Sequence, residues 1–169
     1  MSSRKVKLES IIEDTRWLEL DFDIKAHSSF IVEKILSFID FFNYAKTAKI
    51  TVKFSNDADL KKLNSDFRNK NHETNVLSFP TLHLKEADFE LHRLPKDVYL
   101  GDIAISFDSV ITESLEQGKT FYEHFTHLIV HSILHLLGFD HLVEEEATKM
   151  EDLEIEILNK MNIKNPYII

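Results

Sequence analysis

Cysteine is absent from the chain. Without thiols the protein has neither disulfide bonds nor thiolate metal ligands, so any bound metal must be held by histidine or carboxylate groups. The absence also favours a reducing compartment, and the first 25 residues lack the apolar segment of a secretory signal peptide. Nor does any apolar run approach the roughly 18 residues that a membrane span needs. We therefore expect a cytoplasmic protein without a membrane partner.

Glycine and proline are also scarce, with three residues of each among 169. The sequence contains no linker rich in these residues, no internal repeat and no low-complexity tract. An apolar fraction of 43% is sufficient to build one compact core at this length. We therefore predict a single domain that comprises residues 1–169.

Positive charge is in deficit, since the formal net charge is −9. This balance argues mildly against a protein that coats nucleic acid by bulk electrostatics, because phosphate contacts need lysine and arginine. The charges are unevenly distributed: residues 140–156 contain eight acidic residues and one lysine, whereas residues 49–70 contain six basic and three acidic residues. One end of the molecule could thus face phosphate while the other repels it, although two solvated surfaces would give the same pattern.

Four segments alternate apolar and polar residues or form short apolar runs, as β-strands do. They are Lys5–Ile12, Lys46–Phe54, Asn75–Pro80 and Tyr99–Ser106. Gly101, in the last segment, indicates a close approach of another stretch of backbone. The residues from Thr81 to Val98 are mixed and polar, and we predict a long loop or flap there.

Five segments have the apolar periodicity and the terminal residues of helices. They run from Ser28 or Ser29 to about Asn43, from Asn56 to Arg68, from Asp108 to Gly118, from Thr120 to Leu137 and from Leu142 to Met161. Asn56 and Asp108 are expected to cap their helices, Thr120 begins a capping box, and Gly138 ends the fourth helix. Because helices and strands alternate, we predict an α/β (α+β) fold in which about five helices pack on a small mixed sheet of about four strands.

The fourth predicted helix carries an unusual stripe of histidines. At 100° per residue, its histidines fall within an arc of about 80°, while hydrocarbon covers most of the remaining circumference. These histidines are His124, His127, His131 and His135. A mostly buried helix must open such a polar stripe into a cleft or a satisfied pocket. Imidazoles four residues apart, such as His131 and His135, can occupy adjacent positions around one metal ion.

A third ligand cannot come from the next turn of the same straight helix. Gly138 lets the chain reverse through a left-handed conformation, so that His141 can return to the same point. Three protein ligands leave a fourth position for water, which is typical of catalytic zinc. An ordinary amphipathic helix is the alternative for a lone histidine, but the joint spacing favours the metal site.

Two neighbouring residues have weaker claims. His127 is expected to support a ligand by a hydrogen bond or to pack, with direct involvement as the less favoured alternative. Asp140 could accept a hydrogen bond from a ligand imidazole, or it could cap the turn or begin the last helix. His124 precedes the expected ligands by two turns, and its claim is weaker still.

The residue after the first expected ligand is Ser132, where zinc peptidases of the HExxH type have the glutamate that deprotonates metal-bound water. A serine hydroxyl is a poor base. RNA cleavage avoids this requirement, because the 2′-hydroxyl can be the nucleophile while the site stabilises charge on phosphate oxygens. Such chemistry also needs a cationic group, and Arg68 offers a permanently charged fork suited to phosphate. A surface ion pair of Arg68 with Asp66 or Glu73 is the alternative.

Several segments resemble one known family. "HSILHLLGFDH" (His131–His141) is similar to the HGxLHLLGYDH signature of the YbeY family of metal-dependent endoribonucleases and ribosomal RNA maturation factors. "LNSDFRNKNHETNVLSFP" (Leu63–Pro80), "LGDIAIS" (Leu100–Ser106) and "NPYI" (Asn165–Ile168) resemble other segments of that family. The likeness covers most of the chain from about Asp57 onward, and the preceding residues match only in their order of strand, helix and strand.

The resemblance implies one zinc ion, held by His131, His135 and His141 with water as a further ligand, and catalytic roles for Arg68 and His131. It also implies a fold like that of matrix metalloprotease catalytic domains. The implied activity is single-strand-specific cleavage of ribosomal RNA, in maturation of the 3′ end of small-subunit (16S) rRNA and in ribosome quality control. The implied partners are single-stranded ribosomal RNA and the ribosome or a ribosomal protein, with DNA not expected.

This chain departs from the family pattern at four positions. Ser132 replaces the usual glycine, Phe67 and Phe139 replace tyrosines, and Glu73 replaces a frequent proline. The expected ligands are unaffected, but any hydrogen bond from the two tyrosine hydroxyls is lost.

Two other functions remain compatible with the sequence. A zinc peptidase would share the ligand geometry and would be favoured by a carboxylate near the metal, such as Asp102 or a loop acid. A ribosome-assembly factor that binds without cutting fits the acidic net charge slightly better, because an acidic processing enzyme depends more on a protein partner to deliver RNA.

Overall fold

The computed structural model describes residues 5–69, 74–81 and 94–168. Its strands are β1 (Val6–Ile12), β2 (Thr47–Ser55), β3 (Val76–Pro80) and β4 (Asp97–Ser106). Its α-helices are α1 (Ile24–Phe38), α2 (Asp57–Arg68), α3 (Phe107–Gln117), α4 (Phe121–Leu136) and α5 (Glu144–Lys160). Two short 3-10 helices, Thr15–Leu18 and Phe41–Asn43, flank α1. This element order confirms the predicted α/β architecture with five helices.

The four strands form one mixed sheet in the order β1-β2-β4-β3. The pairs β1/β2 and β2/β4 are parallel, with Val6 opposite Ala48 and Thr47 opposite Asp97. Strand β3 is antiparallel to β4 and forms one edge. The carboxyl end of β3 therefore points in the opposite direction from the carboxyl ends of the other three strands. Residues of β3 line the cleft that contains the histidine group.

Gly101 lies at a bulge in β4, where the backbone of β3 approaches closely. The register between β2 and β4 shifts between Lys49 and Ile50, which pair with Tyr99 and Gly101 and leave Leu100 as the extra residue. Gly101 has φ 141°, and a Cβ atom there would lie 2.3 Å from the Phe79 carbonyl oxygen. The sequence-based expectation of a close backbone approach at Gly101 is thus confirmed.

One face of the sheet forms the main core against α1, α4 and α5. The alternating residues of β2 that face it are Ala48, Ile50, Val52 and Phe54, as the two-residue period predicts. Trp17 lies fully buried among four phenylalanine rings, and its Nε1 donates to the Ser55 carbonyl oxygen over 2.8 Å. On the other face, α2 covers a smaller cluster through Leu60.

Two predicted helix caps are wrong. Helix α1 begins at Ile24 under the cap of Asp23, whose carboxylate accepts from the amides of Lys25 and Ala26. Ser28 lies one turn inside, fully buried, and its hydroxyl donates to the Ile24 carbonyl. Burial of Ile24 extends the helix toward the amino terminus, where a better capping side chain stands.

Helix α3 likewise begins earlier than expected, because Ser106 rather than Asp108 accepts the capping hydrogen bond from the Ser109 amide. Asp108 lies in the first turn and forms an ion pair with Arg16. The caps predicted at Asn56 and Thr120 are confirmed, as is Gly118 in the left-handed conformation after α3.

Two other predicted boundaries change. Strand β4 already begins at Asp97, within the segment expected to be a loop, and residues 82–93 of that segment lie outside the described residues. Helix α1 begins earlier and ends earlier than predicted, at Phe38, whereas α5 (Glu144–Lys160) is shorter than predicted at both ends. Among the helices that the structure describes, none combines the length and apolar character needed to cross a membrane.

Candidate metal centre

Helix α4 carries two of the expected metal ligands and is fixed at both ends. Thr120 and Glu123 form the predicted capping box, with each side chain accepting from the other residue's backbone amide. At the other end, Gly138 adopts φ 97° and its amide donates to the His135 carbonyl over 3.0 Å. The Phe139 amide donates to the Leu134 carbonyl, which completes a Schellman turn.

This turn returns the chain to the histidine stripe, as the sequence predicts. His131, His135 and His141 each offer one nitrogen, and these nitrogens lie within 4.8 Å of one another. The ring centroids of His131 and His135 are 4.5 Å apart, and that of His141 is 5.0 Å from His135. The three side chains therefore form a group that could hold a metal ion.

Hydrogen bonds on the far sides of two rings determine which nitrogens face this group. The Nδ1 of His131 contacts the Glu154 carboxylate, and the Nδ1 of His135 lies 3.0 Å from the Phe139 carbonyl oxygen. Since both partners only accept, each Nδ1 is the donor, and in the neutral form of each ring Nε2 then carries a lone pair. The two Nε2 atoms nonetheless lie 3.0 Å apart. Facing lone pairs repel each other, and a cation between them removes that repulsion.

The 3.0 Å separation of the two Nε2 atoms is close to the ligand spacing around a tetrahedral ion. Zinc with bonds of about 2.0–2.1 Å to ring nitrogens would hold two of them roughly 3.3 Å apart. Burial lowers the pKa of His135 to about 4, with further lowering from His131 and His141. His135 is therefore neutral near pH 7, which is the form that binds a metal.

Glu154 lies behind His131 and was not predicted from the sequence as part of the site. Its side chain is fully buried on α5, and its carboxylate contacts His131, His127 and Tyr167. Burial alone would raise the pKa of Glu154, but the hydrogen bonds from His127 and His131, with that from Tyr167, outweigh it and lower the pKa to about 2. Glu154 is therefore ionised and accepts from all three. We call these four residues the Glu154 cluster.

A sequence signal for Glu154 did exist. Met150, Ile157 and Leu158 mark the apolar face of α5, and Glu154 stands on that same face, four residues after Met150. An acidic side chain at a core position indicates a buried partner. The acidic composition of the segment concealed it, because eight acids in one stretch suggest a solvated surface.

His127 lies beside the metal group, and its hydrogen-bond partners are Glu154 and Tyr167 rather than one of the three candidate ligands. Its Nε2 is 3.2 Å from a Glu154 oxygen and 3.4 Å from the Tyr167 hydroxyl, and its side chain lines the cleft. Burial raises the pKa of Tyr167, and its hydrogen bond to Glu154 raises it further, so the hydroxyl stays protonated and donates to that carboxylate.

His124 is separate from the metal group. Its Nε2 lies 2.6 Å from a Glu113 oxygen, and the same carboxylate accepts from the Asn75 amide over 3.2 Å. The Asn75 carbonyl also accepts from the Ser106 amide. Asn75 thus connects the start of β3 to α3 and to the end of β4, in agreement with the structural role expected of it.

The three histidines open into a cleft of about 910 Å³. Its lining comes from α4 and the turn after it, from β3, and from Arg68 at the end of α2. Arg68 is exposed, and its Nη2 donates to the Ser78 carbonyl oxygen over 2.6 Å. Its guanidinium carbon lies 5.5 Å from the Phe79 ring centroid. The structure thus brings Arg68 into the same cleft as the histidine group.

Two further residues of the histidine segment have defined contacts. Ser132 is fully buried and its hydroxyl donates to the Leu128 carbonyl over 2.8 Å, so it is not a base in the cleft. Asp140 lines the cleft and accepts from the His141 amide over 2.8 Å, which supports the expectation that it caps the turn. The carboxylate behind His131 is Glu154, and the acceptor behind His135 is the Phe139 carbonyl.

The remaining sequence-based candidates lie elsewhere. Asp102 accepts from the Tyr99 hydroxyl on β4, and it is absent from the described cleft lining. His72, His83, His92 and Glu73 lie outside the described residues, and with them the expected ion pair between Arg68 and Glu73.

The chain is similar to known proteins over most of its length. A family model described as "Endoribonuclease YbeY" matches residues 15–162. A protein of that name from Bartonella quintana (strain Toulouse) is 47% identical over 120 residues, which cover 71% of this chain and 72% of the relative. Another from Bartonella bacilliformis is 38% identical over 163 residues, covering 96% of this chain and 97% of the relative.

A solved structure is similar in fold. The solution structure of a protein from Thermotoga maritima matches with a TM-score of 0.51 over 92% of each chain. The sequence identity is 22%, so this likeness supports the fold and nothing further.

Proposed function

The chain belongs to the YbeY endoribonuclease family, and on that premise we propose that it is a zinc-dependent endoribonuclease that cleaves single-stranded ribosomal RNA. The observation that carries the proposal is the convergence of three imidazole nitrogens in a cleft that also contains an arginine. Imidazole nitrogens suit zinc, and three protein ligands leave room for a water molecule. The likeness to metalloprotease catalytic domains stays a prediction.

Each ligand has a distinct means of orientation. His131 is held through Nδ1 by Glu154, His135 through Nδ1 by the Phe139 carbonyl, and His141 is placed by the turn at Gly138. When bound, zinc supplies a Lewis acid that polarises a phosphoryl oxygen and acidifies a coordinated water. His131 belongs to the catalytic machinery in this proposal because it holds the ion.

Arg68 binds phosphate in this proposal. A guanidinium has five N–H donors in a rigid fork, so the bond to Ser78 can fix its position while other donors meet a phosphate oxygen. Phe79 beneath the guanidinium limits its motion further. In the same cleft as the histidines, this charge stabilises the additional negative charge of the transition state.

The cleft also bears on the choice of scissile bond. Ser132 does not supply the base that zinc peptidases place beside their first histidine, since its proton is donated to Leu128. RNA brings an internal nucleophile in its 2′-hydroxyl. Phosphodiester cleavage of RNA therefore does not require a side-chain base beside the first histidine, whereas peptide hydrolysis at such a site does.

The cellular role forms part of the same proposal. We assign the enzyme to maturation of the 3′ end of small-subunit 16S rRNA and to ribosome quality control in the cytoplasm, with residues 1–169 acting as one catalytic domain. The net charge of −9 supports a ribosomal protein or the ribosome as a partner that delivers RNA, because bulk attraction to phosphate is weak.

A zinc peptidase is the second candidate, and one observation favours it. Asp140 lines the cleft beside His141 and is the kind of loop carboxylate that could activate water. Its hydrogen bond to the His141 amide already uses one oxygen, which favours the structural role.

The proposal is tested by His135→Ala. This change should abolish both zinc retention and cleavage of a single-stranded RNA oligonucleotide, because it removes the middle ligand of the group. Zinc content is measured by elemental analysis, and cleavage is assayed on RNA and on casein side by side. His27→Gln alters a histidine outside the cleft and is the matched control, which should retain metal and activity.

Three results would contradict the proposal. Chelator-insensitive RNA cleavage by His135→Ala would exclude the metal mechanism. Cleavage of casein but not RNA by the unaltered protein would favour the peptidase. Absence of cleavage, with ribosome binding that persists without metal, would favour the non-cleaving assembly factor.

A further inference from the structure

A single buried carboxylate receives three donors beside the candidate metal centre. Glu154 has 0% exposure and contacts His131 Nδ1 through one oxygen, while His127 Nε2 and the Tyr167 hydroxyl meet the other. Each of the three partners points a proton at the carboxylate. Because both oxygens are engaged on different sides, the carboxylate plane cannot rotate without breaking a hydrogen bond.

These contacts connect three separate parts of the chain. His127 and His131 lie on α4, Glu154 lies on α5, and Tyr167 lies in the segment that follows α5. That segment is itself anchored, since the Lys119 ammonium donates to the Pro166 carbonyl over 2.9 Å. Tyr167 is held further by its amide, which donates to the Asn165 side chain over 2.9 Å.

We propose that Glu154 is a positioning residue that fixes the His131 ring for metal binding, and that Tyr167 holds Glu154 in the orientation this requires. The inference rests on the proposed metal site. It adds to that site a carboxylate from α5 and a phenol from the segment after it.

The physical reason lies in how an imidazole binds a cation. A carboxylate that accepts from Nδ1 selects the tautomer with a bare Nε2, fixes the ring's rotation and makes that nitrogen more basic. A buried negative charge behind the ligand also favours a positive ion in front of it. His135 has only a neutral carbonyl behind its Nδ1, so the carboxylate contribution falls on His131.

The Tyr167 hydroxyl helps to fix the orientation of the Glu154 carboxylate. It shares one Glu154 oxygen with His127, so the other oxygen stays directed at His131. Without the hydroxyl, that oxygen keeps the single donor from His127, and the carboxylate gains rotational freedom. The loss should therefore weaken metal binding less than loss of the carboxylate does.

The test measures zinc affinity by competition with a chromophoric chelator, which is a readout independent of RNA cleavage. Glu154→Gln preserves the volume of the side chain but removes its charge, and zinc affinity should fall by about 10–100-fold. Tyr167→Phe removes one hydroxyl, and the affinity should fall by about 2–10-fold. Controls are Glu156→Gln, an exposed acid on the same helix, and Tyr44→Phe, an exposed tyrosine between α1 and β2. Both controls should bind zinc as the unaltered protein does.

A second measurement separates positioning from simple packing. The rise in melting temperature caused by saturating zinc should be smaller in Glu154→Gln and Tyr167→Phe than in the unaltered protein. A merely structural role would lower the melting temperature of the metal-free protein and leave the zinc-induced rise unchanged. That outcome, or unchanged zinc affinity in both variants, would overturn the inference.

Tyr167→Phe keeps the inference testable if Glu154→Gln fails to fold. The inference and the proposed function fail in different ways. Zinc retention by His135→Ala would contradict the metal centre itself. Loss of zinc in His135→Ala together with normal zinc affinity in Glu154→Gln and Tyr167→Phe would contradict the positioning role alone.

Discussion

At the scale of single residues, the two ligands of α4 differ in the acceptor behind them. His131 donates to a carboxylate, whereas His135 donates to the backbone carbonyl of the turn that follows the helix. A charge-assisted hydrogen bond is roughly twice as strong as a neutral one. The orientation of His131 should therefore depend most on Glu154, and that of His135 on the turn at Gly138.

Arg68 provides the residue-scale prediction. Arg68→Ala should leave zinc affinity unchanged, because Arg68 offers no ligand atom to the histidine group and its guanidinium is bonded to the Ser78 carbonyl. Cleavage of single-stranded RNA should fall by about 100-fold in kcat/KM, since one donor to transition-state charge is lost. Both quantities are measured on the same preparations.

Arg68→Lys is the matched control for this change. It retains a positive charge but loses the planar fork, so its kcat/KM should lie between those of the alanine variant and the unaltered protein. Loss of zinc from Arg68→Ala would mean that Arg68 supports the metal centre, which would contradict the assigned phosphate role.

At the scale of elements, the ends of helices decide where the ligands lie. The capping box at Thr120 sets the start of α4, and the left-handed residue Gly138 sets its end. His141 reaches the group because the chain reverses at that end. The ligand geometry is therefore a property of helix termini as much as of the histidines themselves.

Asp23 provides the element-scale prediction. Asp23→Ala should lower the free energy of unfolding by about 1 kcal/mol, because the cap of α1 loses its acceptor for two backbone amides. Urea denaturation measures the change. Asp21→Ala, an exposed aspartate two residues earlier, is the control and should change stability by less than about 0.5 kcal/mol. Equal losses in both variants would contradict the capping role.

The helix ends also show what local sequence could and could not predict. The predictions at Asn56, Thr120 and Gly138 are confirmed, because one capping or terminating residue marks each of these helix boundaries. The cap predicted at Ser28 or Ser29 is wrong because Asp23, five residues before Ser28, caps α1 instead. The choice between them depends on burial of Ile24 against the core, which local pattern does not contain.

The candidate site likewise contains residues that local sequence predicts and one residue that depends on tertiary packing. His131, His135 and His141 could be assigned from spacing, since all three lie on one helix and its terminal turn. Glu154 was missed because its contacts join residues 23 and 27 positions apart on two helices. Which face of α5 meets the histidine stripe is set by tertiary packing, which no local period encodes.

At the scale of the whole molecule, the partly buried His27 links stability to pH. His27 Nε2 lies 2.8 Å from the Thr126 hydroxyl, whose own proton is donated to the Tyr122 carbonyl, so His27 must be the donor. The His27 ring also stacks on Tyr122 at 4.2 Å. Burial lowers the pKa of His27 from 6.5 to about 4.

This shift predicts a loss of stability in acid. The unfolded chain binds a proton at His27 below about pH 6.5, whereas the folded protein does so only near pH 4, so acid favours unfolding throughout that interval. When the pH falls from 7.5 to 5, the free energy of unfolding should decrease in both proteins. The decrease should be smaller in His27→Gln than in the unaltered protein by roughly 1–2 kcal/mol, allowing for partial solvent access of His27.

Urea denaturation of chelator-treated protein at the two pH values measures this difference, because metal binding would add its own pH dependence. The unaltered protein should lose more stability than His27→Gln on acidification. Parallel losses in the two proteins would contradict a neutral, buried His27.

The position of the ligands in the chain has a consequence for biosynthesis. All three histidines of the candidate metal centre follow the four described strands, and synthesis delivers the chain from its amino terminus at roughly 5–20 residues per second. The parallel pairs β1/β2 and β2/β4 join distant segments, and such pairing is slow to form. The three candidate ligands share one helix and its terminal turn, but the Glu154 carboxylate behind His131 comes from α5, so the complete centre that we propose can form only after α5 has been synthesised.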